Sequence, residues 1–361
     1  MSATTTSAVL PAVTLQRRLW LALRNAPARL GVTGLALLVL VVFLLPLGYV
    51  LATAFKLDSQ MTTVGAPLWP AAAATFTYEG EPYPLYDVPT ESGTRRLALV
   101  HPFREDSDML DPAHPEQGLF NVKGRWRTWK AVYTFAPTLQ NLIDAWEQVN
   151  FPRLFRNSIL LSGISTIGTL IACILVAYGF TRFPLPGKNI LFVILISTIV
   201  LPPQASIIPL YILFSKLHWT GSWLPLLVPA FFANAYDVFL LRQYFMSIPK
   251  ELDEAAMLDG ADPLRILLSV IIPQAGPAIT AVAIFHFFFV WNQYFEPLVY
   301  LLGNEKLYPV SVGIGAFVTT FSVYPGLSAA TAVLAMALPA VMFFLAQRQF
   351  MQGIVVTGVE K

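Results

Sequence analysis

The stretch Lys250–Pro273, KELDEAAMLDGADPLRILLSVIIP, concentrates charge in a chain that has little of it. Glu251, Asp253, Glu254, Asp259 and Asp262 crowd into its first half, although only 12% of the 361 residues are charged. Carboxylates at this density either solvate a loop or offer anions to the basic groups of a partner. The local chemistry is legible. Pro249 suits a first helical position, and Glu251, Asp253 and Glu254 then fall in the first turns, where the positive end of the helix dipole favours them. Gly260 can take the left-handed conformation that ends a helix. Asp262 caps a second helix with Pro263 at its first position. The spacing therefore predicts a short helix, a tight turn and another helix. Ala255 and Ala256 leave the first helix thin enough to slide into a groove.

Other residue types that could do chemistry are sparse. Trp291, Asn292, Gln293 and Glu296 lie near the far end of an apolar run, and embedded polar groups are functional candidates by default. Pro202, Pro203 and Pro209 interrupt another run and must free backbone carbonyls. They let that helix bend during gating, or they fix a static kink. His101, His114, His218 and His286 are scattered, and no HExxH occurs, so neither a metal centre nor clustered acid–base chemistry is indicated. His286 reads as a satisfied packing residue, and Asp237 with Arg242 as edge residues of an apolar run. The single cysteine, Cys173, leaves no intramolecular disulfide to form.

The elements that must position these residues are apolar and long. The chain is 56% hydrophobic, with mean hydropathy +0.61, which places it in the membrane class. Uncharged or nearly uncharged stretches, each around the ~20 residues needed to cross a bilayer, run over Gly31–Phe55, Asn157–Thr181, Asn189–Ser215, Trp219–Leu241 and Pro277–Leu302. The run Leu307–Gln347 is studded in its first half with Gly313, Gly315, Thr319, Thr320 and Ser322 and broken at Tyr324-Pro325-Gly326. Only Gly326–Gln347 is read as spanning, with Leu307–Phe321 at the interface. The expectation is an all-α polytopic membrane protein with six spans. The acidic patch lies outside the bilayer, because five acids at about 2.5–3.5 kcal/mol each would cost more than about 12 kcal/mol inside it.

Basic residues orient the spans. With a cytoplasmic N-terminus, the inside collects Arg17, Arg18, Arg24, Arg29, Arg182, Lys188, Arg242, Lys250, Arg265, Arg348 and Lys361, against Lys216 and Lys306 in the short outside loops. Both termini and the acidic patch then face the cytoplasm of a cell membrane. The lead 1–29 is too long, and the run behind it long enough to span, for a cleaved signal.

Glu254-Ala255-Ala256, three residues, Gly260, nine residues and Val270-Ile271-Ile272-Pro273 resemble the EAA motif of ABC importer permeases, EAA-x3-G-x9-I-x-LP, with conservative departures at Val270 and Ile272. The Asp259-Gly260-Ala261 ending is similar to the carbohydrate branch, in particular the smaller maltose-type permease. Leu201-Pro202-Pro203-Gln204, Ile208-Pro209-Leu210-Tyr211, Trp291-Asn292-Gln293 and the tail QRQFMQGIVVTGVEK agree with it, so that the resemblance covers about 15–57 and 135–361.

The resemblance implies a six-helix permease subunit for sugars, working with a second permease subunit, two ATPase subunits and an extracytoplasmic solute-binding protein. Glu251, Glu254, Ala255, Ala256, Asp259, Gly260 and Pro273 would form the coupling loop, with Glu254 meeting a basic residue in an ATPase cleft and the tail from Gly353 to Lys361 running along the ATPases. ATP and Mg would bind those partners, and no cofactor this chain. Consistently, there is no GxxxxGK[ST] loop, since Gly187-Lys188-Asn189 lacks the leading glycine and the hydroxyl residue. Trp291, Asn292, Gln293 and Glu296 would line a sugar path, unless the sister permease holds most contacts. Glycerol phosphate or a polyamine is the alternative solute within the same fold. A secondary transporter would show internal repeats and midplane ionisable groups; no repeat is seen and only His286 lies deep. A nucleic-acid partner is not indicated, as the net charge is +2 without a basic block.

The expected layout is a tail at 1–29, a first span at 30–56, an extracytoplasmic insertion at 57–152, a core at 153–348 with the coupling loop at 247–276, and a tail at 349–361. The resemblance lapses from Asp58 to about Tyr133. There, TFTYEGEPYPLYDV and TRRLALVH around Glu91-Ser92-Gly93, then GRWRTWKAVYTF, predict a β-rich module. It either contacts the binding protein or sister permease, or packs on its own loop.

Overall fold

The computed structural model describes residues 15–63, 65–90, 93–148, 150–315 and 324–355, with side chains over 30–347 apart from Pro203. Helix α1 (Leu15–Ala54) leads through α2 (Asp58–Thr62) into strands β1 (Ala71–Ala73), β2 (Thr75–Tyr78), β3 (Glu81–Thr90), β4 (Gly93–Pro102), β5 (Asp106–Leu110), β6 (Phe120–Lys123), β7 (Lys130–Ala131) and β8 (Tyr133–Phe135). Then come α3 (Gln140–Gln148), α4 (Phe151–Arg182), α5 (Lys188–Ser197), α6 (Pro203–Lys216), α7 (Leu224–Leu227) and α8 (Ala235–Ser247). The acidic loop carries α9 (Glu251–Leu258), α10 (Pro263–Ile266) and α11 (Ile272–Gln274). Helices α12 (Gly276–Trp291), α13 (Phe295–Tyr300), α14 (Val310–Ile314) and α15 (Pro325–Val355) follow. Thr319, Thr320, Ser322, Glu91, Ser92 and the last part of the tail lie outside the described residues.

Among the described residues four helical stretches are long and apolar enough to cross a membrane: Leu30–Ala54, Phe151–Arg182, Leu224–Ser247 and Pro325–Gln347. Two bent pairs, Lys188–Val200 with Gln204–Lys216 at 97° and Pro263–Gln274 with Gly276–Trp291 at 81°, bring the number to six only if each is one crossing. The third span, expected to bend or kink at its prolines, is divided into two helices. Leu201 and Pro202 are extended, and a new helix starts at Pro203, whose missing N–H suits a first turn. Pro209 sits inside α6 without ending it. The expected fifth span, Pro277–Leu302, is shorter: α12 stops at Trp291, and Phe295–Tyr300 is a separate helix.

The longest interior helix, α4, shows why these helices pack as they do. Its buried stripe is rich in small and hydroxyl residues, including Ser158, Ser162, Ser165, Gly168, Thr169 and Cys173, while Ile159, Leu160, Ile164, Ile167, Ile171 and Leu175 point outward. Small residues let membrane helices approach closely. Gly168 is the clearest case, since a Cβ there would lie 2.9 Å from the Phe231 ring.

The predicted β-rich insertion is present. Its main sheet is antiparallel in the order β2-β3-β4-β5-β6, with β7 also on β3, and β1 pairs with β8 as a separate ribbon. Glu79 and Gly80, both at positive φ, form the two-residue turn joining β2 to β3, a geometry that matches strand twist. Val88, Leu97, Leu99 and Met109 pack under Trp126 and Trp129 as its own small core. The ribbon is tied to the helices by buried Gln60, whose amide donates to the Pro67 and Trp69 carbonyls and whose oxygen accepts from Ala71 N–H. Asn141 on α3 donates to the carbonyls of Ala54 and Lys56.

Candidate functional site

The acidic loop folds as a helix, a turn and a helix. Helix α9 begins at Glu251 with Lys250 at its cap, so Pro249 precedes the helix instead of taking its first position. It ends in a Schellman motif: Gly260 N–H donates to Met257 O at 3.0 Å and Ala261 N–H to Ala256 O at 3.0 Å. Gly260 has φ +82°, a conformation that costs side-chain-bearing residues about 1–3 kcal/mol. The spacing Ala256-x3-Gly260 is therefore a capping requirement. Asp262 accepts from Arg265 N–H at 2.8 Å and starts α10, as its sequence position predicts. Glu251, Glu254, Ala255, Asp259 and Gly260 are exposed. Beside them Met257, Leu264 and Leu258, the last 90% exposed, form an apolar surface that charge counting did not anticipate. Ala256 is half-buried, and Pro273 lies in α11 beyond a π-helical turn, Leu267–Ile271.

One of the five acids faces the other way. Asp253 pairs with Arg182 at the end of α4, both side chains 7% exposed, and Arg182 also donates to Ile248 O at 3.1 Å. This pair ties the loop to the bundle. In sequence Asp253 is indistinguishable from its acidic neighbours, because only the turn of the helix sets which carboxylate points inward. An apolar core of Tyr178, Leu241, Phe245, Ile266 and Ile271 lies beside it.

At the other end of the bundle a cleft of about 710 Å³ opens between the end of α12, α14 and α15. Trp291, Asn292, Tyr294, Ser311, Gly315 and Met336 are among its lining residues, none of them charged. Trp291 is buried, stacked on Phe287 and edge-on to Phe155, and serves as floor. Asn292 is exposed and donates to Phe288 O at 2.8 Å. Gln293 stands apart, its carbonyl accepting from Ser311 Oγ at 2.5 Å, and Glu296 is on α13, outside the cleft lining. The structure thus brings Trp291 and Asn292 to the cleft and not Glu296. Pro202 lies at the α5–α6 break and Pro209 within α6, and neither lines the cleft.

A third constellation lies midway. Asp237, expected at a span edge, is buried: its Oδ2 is 2.9 Å from His286 Nδ1, with side chains 4% and 9% exposed. The fourth span, expected at Trp219–Leu241, runs over Leu224–Ser247 with an interruption at Pro229–Phe231, so Asp237 lies within it and not at its edge. His286 Nε2 faces Thr169 Oγ1 at 3.1 Å and Ser165 Oγ at 3.3 Å. Asn234 caps α8, accepting from Asp237 N–H at 2.9 Å and donating to its carboxylate. His286 is hydrogen-bonded, as read; its partner Asp237 is 49 residues away and not visible as such in sequence.

The family described as binding-protein-dependent transport system inner membrane component matches residues 158–355. A probable ABC transporter permease protein of Pyrococcus horikoshii is 31% identical over 236 residues, 64% of this chain and 85% of that one. An arabinooligosaccharides transport system permease protein of Halalkalibacterium halodurans is 28% identical over 224 residues, 62% of this chain and 80% of that one. Among solved structures, a bacterial ABC transporter involved in import of the acidic polysaccharide alginate contains a chain that superposes with TM-score 0.61 at 18% identity, covering 94% of this chain and 99% of that one, which speaks to the fold alone. Matched over more than half its length, this chain belongs to the family of inner membrane components of binding-protein-dependent transport systems, the ABC importer permeases.

Proposed function

We propose that this integral membrane chain is the permease subunit of an ATP-driven carbohydrate importer. The observation that carries the reading is the exposed helix–turn–helix α9–Gly260–α10. Its free face combines Glu254 with Met257, Leu258 and Leu264, an anion on an apolar ridge suited to a cleft with a basic residue. A separate pair of ATPase subunits would receive that ridge, one from this chain and one from a second permease subunit. ATP and Mg bind there, and closure of the ATPases moves the loop and switches the path between the two sides of the membrane. A solute-binding protein delivers substrate at the insertion end. In this reading both termini and the acidic loop are cytoplasmic.

The uncharged cleft supports a hydroxyl-rich solute over an anionic one. Amide, indole, phenol and hydroxyl groups from Asn292, Trp291, Tyr294 and Ser311 match sugar rings, whereas a phosphate calls for Arg or Lys. The named substrate of the arabinooligosaccharide relative points the same way. Reconstitution with the sister permease, the ATPases and the binding protein tests this. ATP-dependent uptake of labelled arabino- or malto-oligosaccharides is expected; uptake of glycerol 3-phosphate alone would refute the carbohydrate assignment.

A further inference from the structure

The His286–Asp237 pair belongs to neither the docking ridge nor the cleft, and it stands between them. Thr169, which faces His286, precedes Arg182 by 13 residues on α4, so about 20 Å of helix separates the His286–Asp237 and Arg182–Asp253 pairs. The interval is filled by one apolar core to which Cys173, Tyr178, Val238, Phe245, Ile271 and Val282 contribute. Helices α8 and α12, which the pair joins, are the two that flank the docking loop in sequence. Above the pair the regular structure changes. Thr169 Oγ1 donates at 2.9 Å to Ala230 O in the turn that breaks the fourth span. Five residues beyond His286, α12 reaches Trp291 and the cleft.

An aspartate at the centre of a membrane helix costs on the order of 2.5–3.5 kcal/mol, and Asp237 is kept here beside His286. Apolar contacts between membrane helices tolerate sliding, whereas a hydrogen bond fails within a few tenths of an ångström. We propose that the His286–Asp237 pair is a positioning element for transport: it holds α12 in register with α8 where the loop-bearing unit meets the cleft-bearing half. Displacement of the docking loop then reaches the cleft rather than being absorbed at the break in the fourth span. This rests on the ATP-coupled reading above.

The test uses the assembled transporter, with its sister permease and ATPases, in nanodiscs. Met336→Cys in the cleft reports access through its labelling rate with an impermeant maleimide, before and after vanadate trapping of the ATPases; Cys173 is buried and out of reach. With the native pair, trapping should change the rate roughly tenfold, within the range of ordinary coupling energies. Asp237→Leu/His286→Phe removes the bond while keeping bulk, and buried pairs replaced by apolar residues are commonly tolerated. That chain should assemble and trap vanadate, yet lose most of the response. Should it fail to assemble, Asp237→Asn/His286→Leu, which keeps an amide beside Asn234, is read in the same way. Asp237→Asn/His286→Gln can rebuild an uncharged hydrogen bond and should recover most of the response. A full response without the bond overturns the proposal. So does an Asn/Gln chain no better than the unbonded ones, or failure of both unbonded chains to assemble, which would make the pair a folding requirement. If the native pair itself shows no response to trapping, the ATP-coupled reading fails and takes the proposal with it.

Discussion

Glu254 stands on the exposed side of α9 while Asp253, one position earlier and about 100° around the helix, is turned into the bundle against Arg182. The two carboxylates should therefore fail differently. Glu254→Lys leaves helix propensity nearly unchanged, so insertion and fold should persist while ATPase co-purification and uptake are lost; an acidic substitution in the ATPase cleft should restore part of both. Uptake at the parental rate with ATPases bound would return the patch to a solvated loop. Gly260→Val denies the Schellman turn its positive φ, at about 1–3 kcal/mol, and no change in the ATPase should rescue it. Arg182→Ala acts on the fold instead. It strands Asp253 as a buried unpaired charge, costing roughly 3–5 kcal/mol, and should lower the thermal midpoint of the purified chain and open the loop to protease. Arg182→Met with Asp253→Leu should recover most of that stability.

The insertion is an element with a stem. Its main sheet has its own core, whereas α2 and the β1·β8 ribbon form a stem held together through Gln60. Gly326 at the start of α15 leaves room for Met61 and Asn141. Excision should therefore remove Thr75–Lys130 and spare the stem. Helical content and ATPase docking should be unaffected by that cut, whereas a cut from Ser59 should cost stability by removing Met61 from its contact at Gly326 and leaving β8 without β1. If the module recruits the binding protein, stimulation of ATPase activity by loaded binding protein should fall with basal activity intact. Unchanged stimulation identifies the sheet as a self-contained insertion.

For the whole molecule the open quantity is topology. Between the insertion and the docking loop lie α4, the bent α5–α6 pair and the interrupted α7–α8 span, so the two are on opposite sides only if that bent pair crosses. A cysteine at Arg104, exposed beyond β4, should react with an impermeant reagent from outside, and one at Leu258 only after permeabilisation. Leu110 is unsuitable for this purpose, being fully buried in the sheet. Labelling of both positions from the same side would mean that an odd number of the intervening helices re-enters rather than spans.

Much of this was present in the order of residues alone. Apolar run length against bilayer thickness, and the spacing Glu254-Ala255-Ala256-x3-Gly260, are local quantities, and local quantities delivered the membrane class, the helix–turn–helix and the family. The β-rich character of the insertion was legible for the same reason, in the alternation and turn residues of TFTYEGEPYPLYDV. Span ends were less so: hydropathy does not register that Leu201-Pro202 bends a run by 97° or that α12 stops at Trp291. Pairings between distant residues were not legible at all. Asp253 and Arg182 are 71 positions apart and Asp237 and His286 are 49 apart. Which carboxylate turns inward and which histidine it meets depends on how α4, α8 and α12 rotate against one another. That rotation is set by small residues such as Gly168 and by the broken fourth span, so only the packed bundle decides it.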